Sequence, residues 1–459
     1  MEKLLTVGHT VELPEMLAGR EKRAARQREI ISKYGGVLVC MTLNVAGPVK
    51  VNALTDAAFY AAYEEIEKAL SQVAFTRISH HYYGNEAYFA VPGGDISDIK
   101  RRMLEIEESH PLGRLFDIDV LEECDGEIHK ISRTDVGAHE RTCLICGGEA
   151  KVCASTRAHG LDKILSATYG MIYEYIKERG LFAGLAGGLA VSALLSEVYT
   201  TPKPGLVDLD NDGSHPDMTM RLFEKSAAAL RNYFADCFKA GEETREIPTY
   251  EVLSRIRPLG IEAEKTMYES TGGVNTHKGI IFSLGIILTA AGRVGVADTD
   301  VTLLTAGEIA CPALADFNGE ASTKGEEQYA AYGLQGIRGE AAAGFPSVRN
   351  IALPAFDEAT AAGLSWNDAG VFALLRLISG VQDSNMIARG GRDLAQEMAI
   401  MAGHLAGAWQ LATRVDSNPA ALLAGARKLD EMFMRKNLSP GGCADLLAIT
   451  YFIKMLQSV

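Results

Sequence analysis

The sequence has little of what a membrane or nucleic-acid protein needs. No apolar run reaches the roughly 18 residues expected of a membrane span. The two most apolar stretches, 180–195 and 279–292, fall short, and the first is loaded with Gly and Ala; each reads as a buried helix. Positive charge is in deficit: 45 Lys and Arg stand against 59 Asp and Glu, a net charge of −14. That excludes a general nucleic-acid binder, whose footprint is a basic domain. It leaves open small phosphorylated ligands, which need only a local cluster of cations. The opening residues, MEKLLTVGHTVELPEML, lack a basic stretch followed by an apolar one, so no secretory leader is expected and the cytoplasm is the expected compartment. A Gly-x-x-x-x-Gly-Lys-Ser/Thr loop is missing, which excludes a P-loop ATPase. There is no fixed-period repeat, low-complexity tract or flexible linker.

What is present fits a multidomain globular chain. Its 459 residues suffice for two to four domains, with an ordinary 47% hydrophobic and 23% charged. Two textures meet near residue 160. Before it, short apolar runs bounded by Gly alternate with helical patterns. Strands are predicted at 36–45, 87–91 and 114–121, and helices at 19–34, 54–70 and 97–109. This predicts an α/β or α+β domain. Beyond it, long Ala/Leu/Met-rich stretches dominate, at 218–240, 368–378, 392–414 and 419–436, and predict an all-α domain. The join is expected to be a helix over 161–179, ending at Gly180. The boundary is set between residues 177 and 178, giving domains 1–177 and 178–459.

Three features carry chemistry in the first domain. In His110-Pro-Leu-Gly-Arg-Leu-Phe-Asp-Ile-Asp-Val120, Asp117 and Asp119 alternate on a predicted strand and so share a face. Two like charges that close either sit solvated at a strand edge or hold a cation between them, Mg²⁺ being the natural one beside phosphate oxygens. Nucleotidyl-transfer enzymes clamp a triphosphate in this way. Second, Cys143-Leu-Ile-Cys146 is followed by Cys153 and His159, which reads as a Cys₃His zinc knuckle or as a set of buried thiols. The other five cysteines are scattered and read as core or neutral positions. Third, Arg20, Lys22, Arg23, Arg26 and Arg28 concentrate positive charge on one helix. That helix is either a solvated face or a docking patch for phosphates or an acidic carrier.

The second domain holds its polar motifs between helices, where loops usually carry function. Glu197 precedes Thr201-Pro-Lys-Pro-Gly-Leu-Val-Asp208, followed by Asp212-Gly-Ser-His-Pro-Asp217, Thr271-Gly-Gly-Val-Asn-Thr-His-Lys-Gly279, Gly336-Ile-Arg-Gly-Glu340, Asp383-Ser-Asn385 and Leu438-Ser-Pro-Gly-Gly-Cys-Ala-Asp445. Gly-rich turns let backbone N–H groups approach an anion, though singly each is as well read as a helix cap. Lys203, Lys278, Arg338, Arg389 and Arg392 are cationic partners for phosphates, with Asn275 beside them. His277 reads equally as a structural histidine or a catalyst.

GRxxRAARQ, Asn44-Val-Ala-Gly-Pro-Val-Lys50, HPLGRLFDIDV and CLICG…C…H, in this order over residues 12–165, resemble apo-citrate lyase phosphoribosyl-dephospho-CoA transferase. The resemblance implies a nucleotidyltransferase-like domain that places a phosphoribosyl-dephospho-CoA group on a carrier-protein serine and releases pyrophosphate. It makes Asp117 and Asp119 catalytic Mg²⁺ ligands, and Arg23, Lys50 and Arg114 phosphate contacts. KPGLVD, GGVNTHKG, GIRGEAAAGFPSVR and LSPGGCADLLA, over residues 190–451, resemble triphosphoribosyl-dephospho-CoA synthase. Here the implied substrates are ATP and dephospho-CoA: the ribose 2′-hydroxyl attacks C1 of the ATP ribose and adenine leaves. An oxocarbenium-like transition state wants nearby negative charge, and a carboxylate must take the hydroxyl proton. The carboxylate pool is Glu197, Asp208, Asp212, Asp217, Glu340, Asp383 and Asp445. Asp208, Asp212, Asp217 and Asp383 are assigned to Mg²⁺ or the triphosphate, and Glu197 or Glu340 to the base. The expected protein partner is the acyl carrier protein subunit of citrate lyase. Alternatives are the malonate decarboxylase carrier, an ADP-ribose hydrolase in the second domain, and a first domain reduced to a carrier-binding module. No tunnel between the two halves is expected.

Overall fold

A computed structural model describes residues 10–124, 126–295, 298–318, 324–412 and 418–457. The chain divides into two compact units, 1–188 and 189–459, and the division falls inside the helix Phe182–Tyr199. That helix is long and apolar enough to cross a membrane by length and composition, and it is mostly buried. The core helix of a soluble protein has the same two properties.

The first unit is built on a five-stranded sheet: β1 (Val37–Leu43), β2 (Phe75–Ser79), β3 (Glu86–Val91), β4 (Phe116–Cys124) and β5 (Glu127–Ile131), in the order β2-β3-β1-β4-β5. Every pairing is antiparallel, so the domain is α+β and its strand–helix alternation is not the signature of a parallel sheet. Three helices flank it: α1 (Leu13–Tyr34), α2 (Ala53–Ala69) and α3 (Ile96–Ser109). Ile30 and Ile31 of α1 pack on Leu38, Cys40, Tyr88, Ala90 and Leu121, covering one face. The opposite face receives α2, whose Tyr63 ring lies 5.2 Å from Phe89. There α3 is pinned to β4 at Ile118: Lys100 Nζ donates to its carbonyl (2.9 Å) and its N–H donates to Glu107 Oε1 (3.1 Å). Asn52 caps α2 through Thr55 N–H (3.0 Å), and its Nδ2 donates to Tyr169 OH (2.8 Å) on the helix Leu161–Glu178.

Among the described residues of the second unit every element is helical. The apolar run at 279–292 forms the helix Lys278–Val294, twelve of whose residues are buried. Each fully buried Leu or Ile contributes roughly 1.5–3 kcal/mol. One predicted helix differs from the observed ones. The pattern over 218–240 is two helices, Met220–Ala229 and Arg231–Glu243, which meet at Leu230. The helix expected at 392–414 does begin after Gly391, a kink whose φ of 77° a side chain would disfavour and which separates it from a short helix starting at Ser384; its last two residues lie outside the described ones.

Candidate functional site

In the first unit the register sets Asp117 opposite Thr42 and Asp119 opposite Cys40. Both carboxylates therefore lie on the α1 side of the sheet, while Phe116, Ile118 and Val120 point into the core. A cleft on that side is lined by Arg20, Arg23, Lys50, Tyr83, Asn85 and Asp117. Asp117 keeps about half its side chain in solvent, and Asp119 is paired with Lys130 of β5. Lys50 donates to Val45 O (2.7 Å). Burial, and then Arg20, lower its pKa. Arg114 lies on the turn before β4 and reaches Thr142 Oγ1 (3.0 Å) rather than the cleft.

The anchor of the basic helix is a residue that pattern reading missed. Glu86, wholly buried, accepts from Arg23 Nε (2.9 Å), Arg26 Nη2 (2.5 Å) and Tyr88 OH. It holds two of the six cations of α1 against the sheet and so fixes Arg23 at the cleft wall. The signal available was a charged residue opening the apolar run Glu86–Val91. His81, stacked on Tyr83 and 4.0 Å from Glu86, has its pKa lowered to about 4 by burial.

The predicted knuckle assembles. Ligand atoms of Cys143, Cys146, Cys153 and His159 all lie within 4.8 Å of one another. Cys143 N–H donates to Gly148 O and Gly147 N–H returns to Cys143 O (3.0 Å), folding Cys-x-x-Cys into a tight turn. Backbone N–H groups of Cys146 and Ile145 draw the Cys143 thiol down to about 6. His159 Nε2 is buried without a hydrogen-bond partner among the described residues. Three converging sulfurs and an orphaned imidazole nitrogen fit a tetrahedral metal.

In the second unit Lys203 is the pivot. It is buried, and its Nζ donates to Glu197 Oε1 (2.5 Å) and Glu197 O (2.7 Å) at the end of the helix Phe182–Tyr199. Its backbone N–H donates to Asp208 Oδ2 (2.8 Å), and Asp208 Oδ1 accepts from the N–H of Asp210 and of Asn211. Asp430, another residue missed from sequence, accepts from Gly205 N (2.8 Å) and Asn211 Nδ2 (3.0 Å). The Pro-Gly turn and the acidic loop are thus tied to each other. Asp383 closes a second turn: it accepts from the N–H of Asn385, Met386 and Cys443, the last at the start of the helix Gly441–Leu456. Burial raises the pKa of Glu197, Asp208 and Asp383. His277 Nδ1 meets Ser226 Oγ (2.7 Å), and burial, then Lys203, hold its pKa near 3. It is a neutral histidine.

The other predicted groups are placed as follows. Glu340 accepts from Ser347 N (2.7 Å) and Ser347 Oγ (3.0 Å). Asp212 and Asp217 are exposed. Asn275 Oδ1 accepts from Lys278 N (3.2 Å), and Lys278 Nζ pairs with Glu264 (2.8 Å). Arg338 pairs with Glu326 (2.9 Å). Arg389 donates to Ser214 O (2.9 Å) and meets His215, whose Nε2 lies 2.7 Å from Ser439 Oγ. Arg392 donates to Tyr332 O (2.7 Å).

Two family models match the chain. One, described as apo-citrate lyase phosphoribosyl-dephospho-CoA transferase, matches residues 11–175, and one described as ATP:dephospho-CoA triphosphoribosyl transferase matches residues 184–459. The chain is 37% identical to Protein CitXG of Haemophilus influenzae, covering 97% of each. It is 31% identical to Protein CitXG of Leuconostoc mesenteroides subsp. cremoris, covering 98% of each. It is also 36% identical to 2-(5''-triphosphoribosyl)-3'-dephosphocoenzyme-A synthase of Haemophilus ducreyi, over 68% of this chain and 99% of that protein.

Proposed function

The chain belongs to the family that joins an apo-citrate lyase phosphoribosyl-dephospho-CoA transferase to an ATP:dephospho-CoA triphosphoribosyl transferase, and on that premise we propose that one cytoplasmic polypeptide carries both activities. The second unit joins ATP to dephospho-CoA and releases adenine. The first transfers the phosphoribosyl-dephospho-CoA group to a serine of the citrate lyase acyl carrier protein and releases pyrophosphate. The observation that carries this is the end-to-end match to fused relatives, which covers both units at once. The order is chemically forced: the triphosphate left on the sugar by the first reaction is the leaving-group handle of the second.

The geometry supports a division of roles. In the nucleotidyltransferase-like first unit, Arg20, Arg23 and Lys50 put three cations around one cleft, suited to a polyphosphate. Asp117 and Asp119 share its face and would hold Mg²⁺, which screens the departing pyrophosphate. The Cys₃His cluster is a structural zinc site apart from that chemistry. In the second unit, Lys203 pairs with Glu197, and backbone N–H groups of Gly205 and Cys443 bind the buried carboxylates of Asp430 and Asp383. Asp208 and Asp383 are engaged by backbone N–H groups and shape their turns. The exposed Asp212 and Asp217 remain available to Mg²⁺ on the triphosphate.

Incubating the purified chain with ATP, Mg²⁺ and dephospho-CoA tests the reading. Adenine and a triphosphoribosyl adduct are expected by mass spectrometry, and pyrophosphate once carrier protein is added. Formation of ADP or AMP without adenine overturns it, and ADP-ribose in place of adenine would mark a hydrolase.

A further inference from the structure

We propose that Asp445 is a catalytic residue of the second unit, the general base that takes the proton of the attacking hydroxyl; this rests on the adenine-releasing reaction assigned above. The second unit gathers five buried or partly buried carboxylates whose fields overlap: Glu197, Asp208, Glu340, Asp383 and Asp445. Four are committed. Glu197 holds Lys203, Asp208 and Asp383 each accept three backbone N–H groups, and Glu340 is bound twice by Ser347. Asp445 alone has neither a hydrogen bond nor an ion pair among the described residues. Asp445 is half-buried and its oxygens are not sealed from solvent, so they stay open to a substrate, as a base requires.

Its surroundings are shaped for that ligand. Asp445 lies in the first turns of the helix Gly441–Leu456, and its Oδ2 faces Gly279 in the first turn of the helix Lys278–Val294. A methyl group at residue 279 would overlap that oxygen. Two helix starts thus converge on one carboxylate, where their N–H groups favour the phosphates of a nucleotide. The titratable groups that face Asp445 are Glu197, Asp383 and Cys443. Burial, then Glu197 and Asp383, raise its pKa well above the ordinary carboxylate range. A carboxylate so raised is a stronger base than a solvated one.

The 2′-hydroxyl oxygen of dephospho-CoA forms a bond to C1 of the ATP ribose, and its proton passes to Asp445. The C1–N9 bond breaks, its electron pair leaves with adenine, and adenine takes a proton from solvent. Asp445 then loses its proton to solvent. Glu197, paired with Lys203, and Asp383, held by three backbone N–H groups, lie beside Asp445, where negative charge would offset the developing oxocarbenium.

The test uses the full chain with Asp445→Asn, Asp445→Glu and Gly279→Ala, measuring adenine release, binding of Mg·ATP and of dephospho-CoA, and thermal melting. In Asp445→Asn, kcat should fall on the order of 10²–10⁴-fold. Both substrates should still bind within about threefold. The wild-type kcat should rise with pH as Asp445 ionises, and that rise should disappear in Asp445→Asn. Asp445→Glu should recover part of the rate, and Gly279→Ala, which displaces the carboxylate without removing it, should also lose rate. Melting supplies a readout that a structural role would move the other way. A carboxyl whose pKa is raised on folding costs stability as pH climbs past its unfolded value of about 4. Asp445→Asn should therefore melt no lower than wild type at neutral pH. The proposal is overturned if Asp445→Asn retains kcat, if it melts lower, or if it loses Mg·ATP binding in step with rate, which would make Asp445 a metal ligand. A wild-type chain that releases no adenine would instead defeat the assigned reaction itself.

Discussion

Replacing Glu86 by Gln tests how the first unit holds its cationic wall. The substitution keeps the shape of a fully buried side chain and removes its charge. Arg23 Nε and Arg26 Nη2, at 2.9 and 2.5 Å, then face an amide that offers one acceptor in place of two ionised oxygens. Breaking a buried ion pair from one side costs about 3–5 kcal/mol. Arg23 and Arg26 keep 24% and 14% of their side chains in solvent, so part of their charge can be rehydrated and the lower end applies. For a unit of this size each kcal/mol moves the melting temperature by roughly 2–4 °C, so about 3 kcal/mol gives a fall of roughly 6–12 °C. Scanning calorimetry of the full chain should show it in the transition that contains the first unit. Carrier modification should weaken mainly through the KM for the triphosphoribosyl substrate, because Arg23 lines the cleft. Adding Arg26→Met should cost less than the sum of the single changes, because the two residues share one interaction. A shift below about 2 °C for Glu86→Gln would refute the reasoning, for it would mean that the arginines do not depend on this carboxylate.

The metal cluster predicts one zinc per chain by elemental analysis. A chelator or Cys146→Ser should lower the melting of the first unit while adenine release continues, and a zinc-free chain with unchanged melting after chelation would refute the assignment. Lys203→Met should strand Glu197 as a buried carboxylate, costing about 3–5 kcal/mol and abolishing adenine release. Adding Glu197→Gln should restore melting but not activity; recovery of both would show that the pair is only structural. Gly205 has a φ of 71° and lies against the carbonyl of Leu438, so Gly205→Ala should destabilise the second unit by more than about 1 kcal/mol. Unchanged melting would show that the Pro-Gly turn can relax.

Much of the framework was legible because it follows local periodicity. Val37–Leu43 is a run of β formers between glycines, and the alternation of Asp117 and Asp119 with Phe116, Ile118 and Val120 gives their shared face whatever the topology. The strand Phe75–Ser79 was not legible, since it lies at a sheet edge with mostly half-exposed residues and no clean alternation. The break at Leu230 carries no Gly or Pro, so nothing in the apolar spacing announces it. The Cys₃His cluster was readable because its ligand spacing is itself the geometry.

The second site divides along the same line. Residue type marked Lys203, Asp208, Glu340 and Asp383 as polar groups in a helical domain, but their tasks depend on donors that arrive from other segments. Asp383 receives Cys443 N–H, and Gly205 N–H goes to Asp430. In sequence Asp445 is one more acid behind a Gly-Gly helix start, with nothing to rank it above Glu197 or Glu340. Only the folded chain shows that Glu197 is claimed by Lys203 and Glu340 by Ser347, while Asp445 faces Gly279 without a donor. A base must keep an oxygen free for its substrate. Of the two acids that sequence reading favoured for that role, Glu340 has both oxygens bound by Ser347, and Glu197 has its Oε1 bound by Lys203, whereas both oxygens of Asp445 are without a donor among the described residues. The hydroxyl proton should go to Asp445, and the comparison of Asp445→Asn with Glu340→Gln decides it: the first should stop adenine release at intact binding, the second should lower melting first.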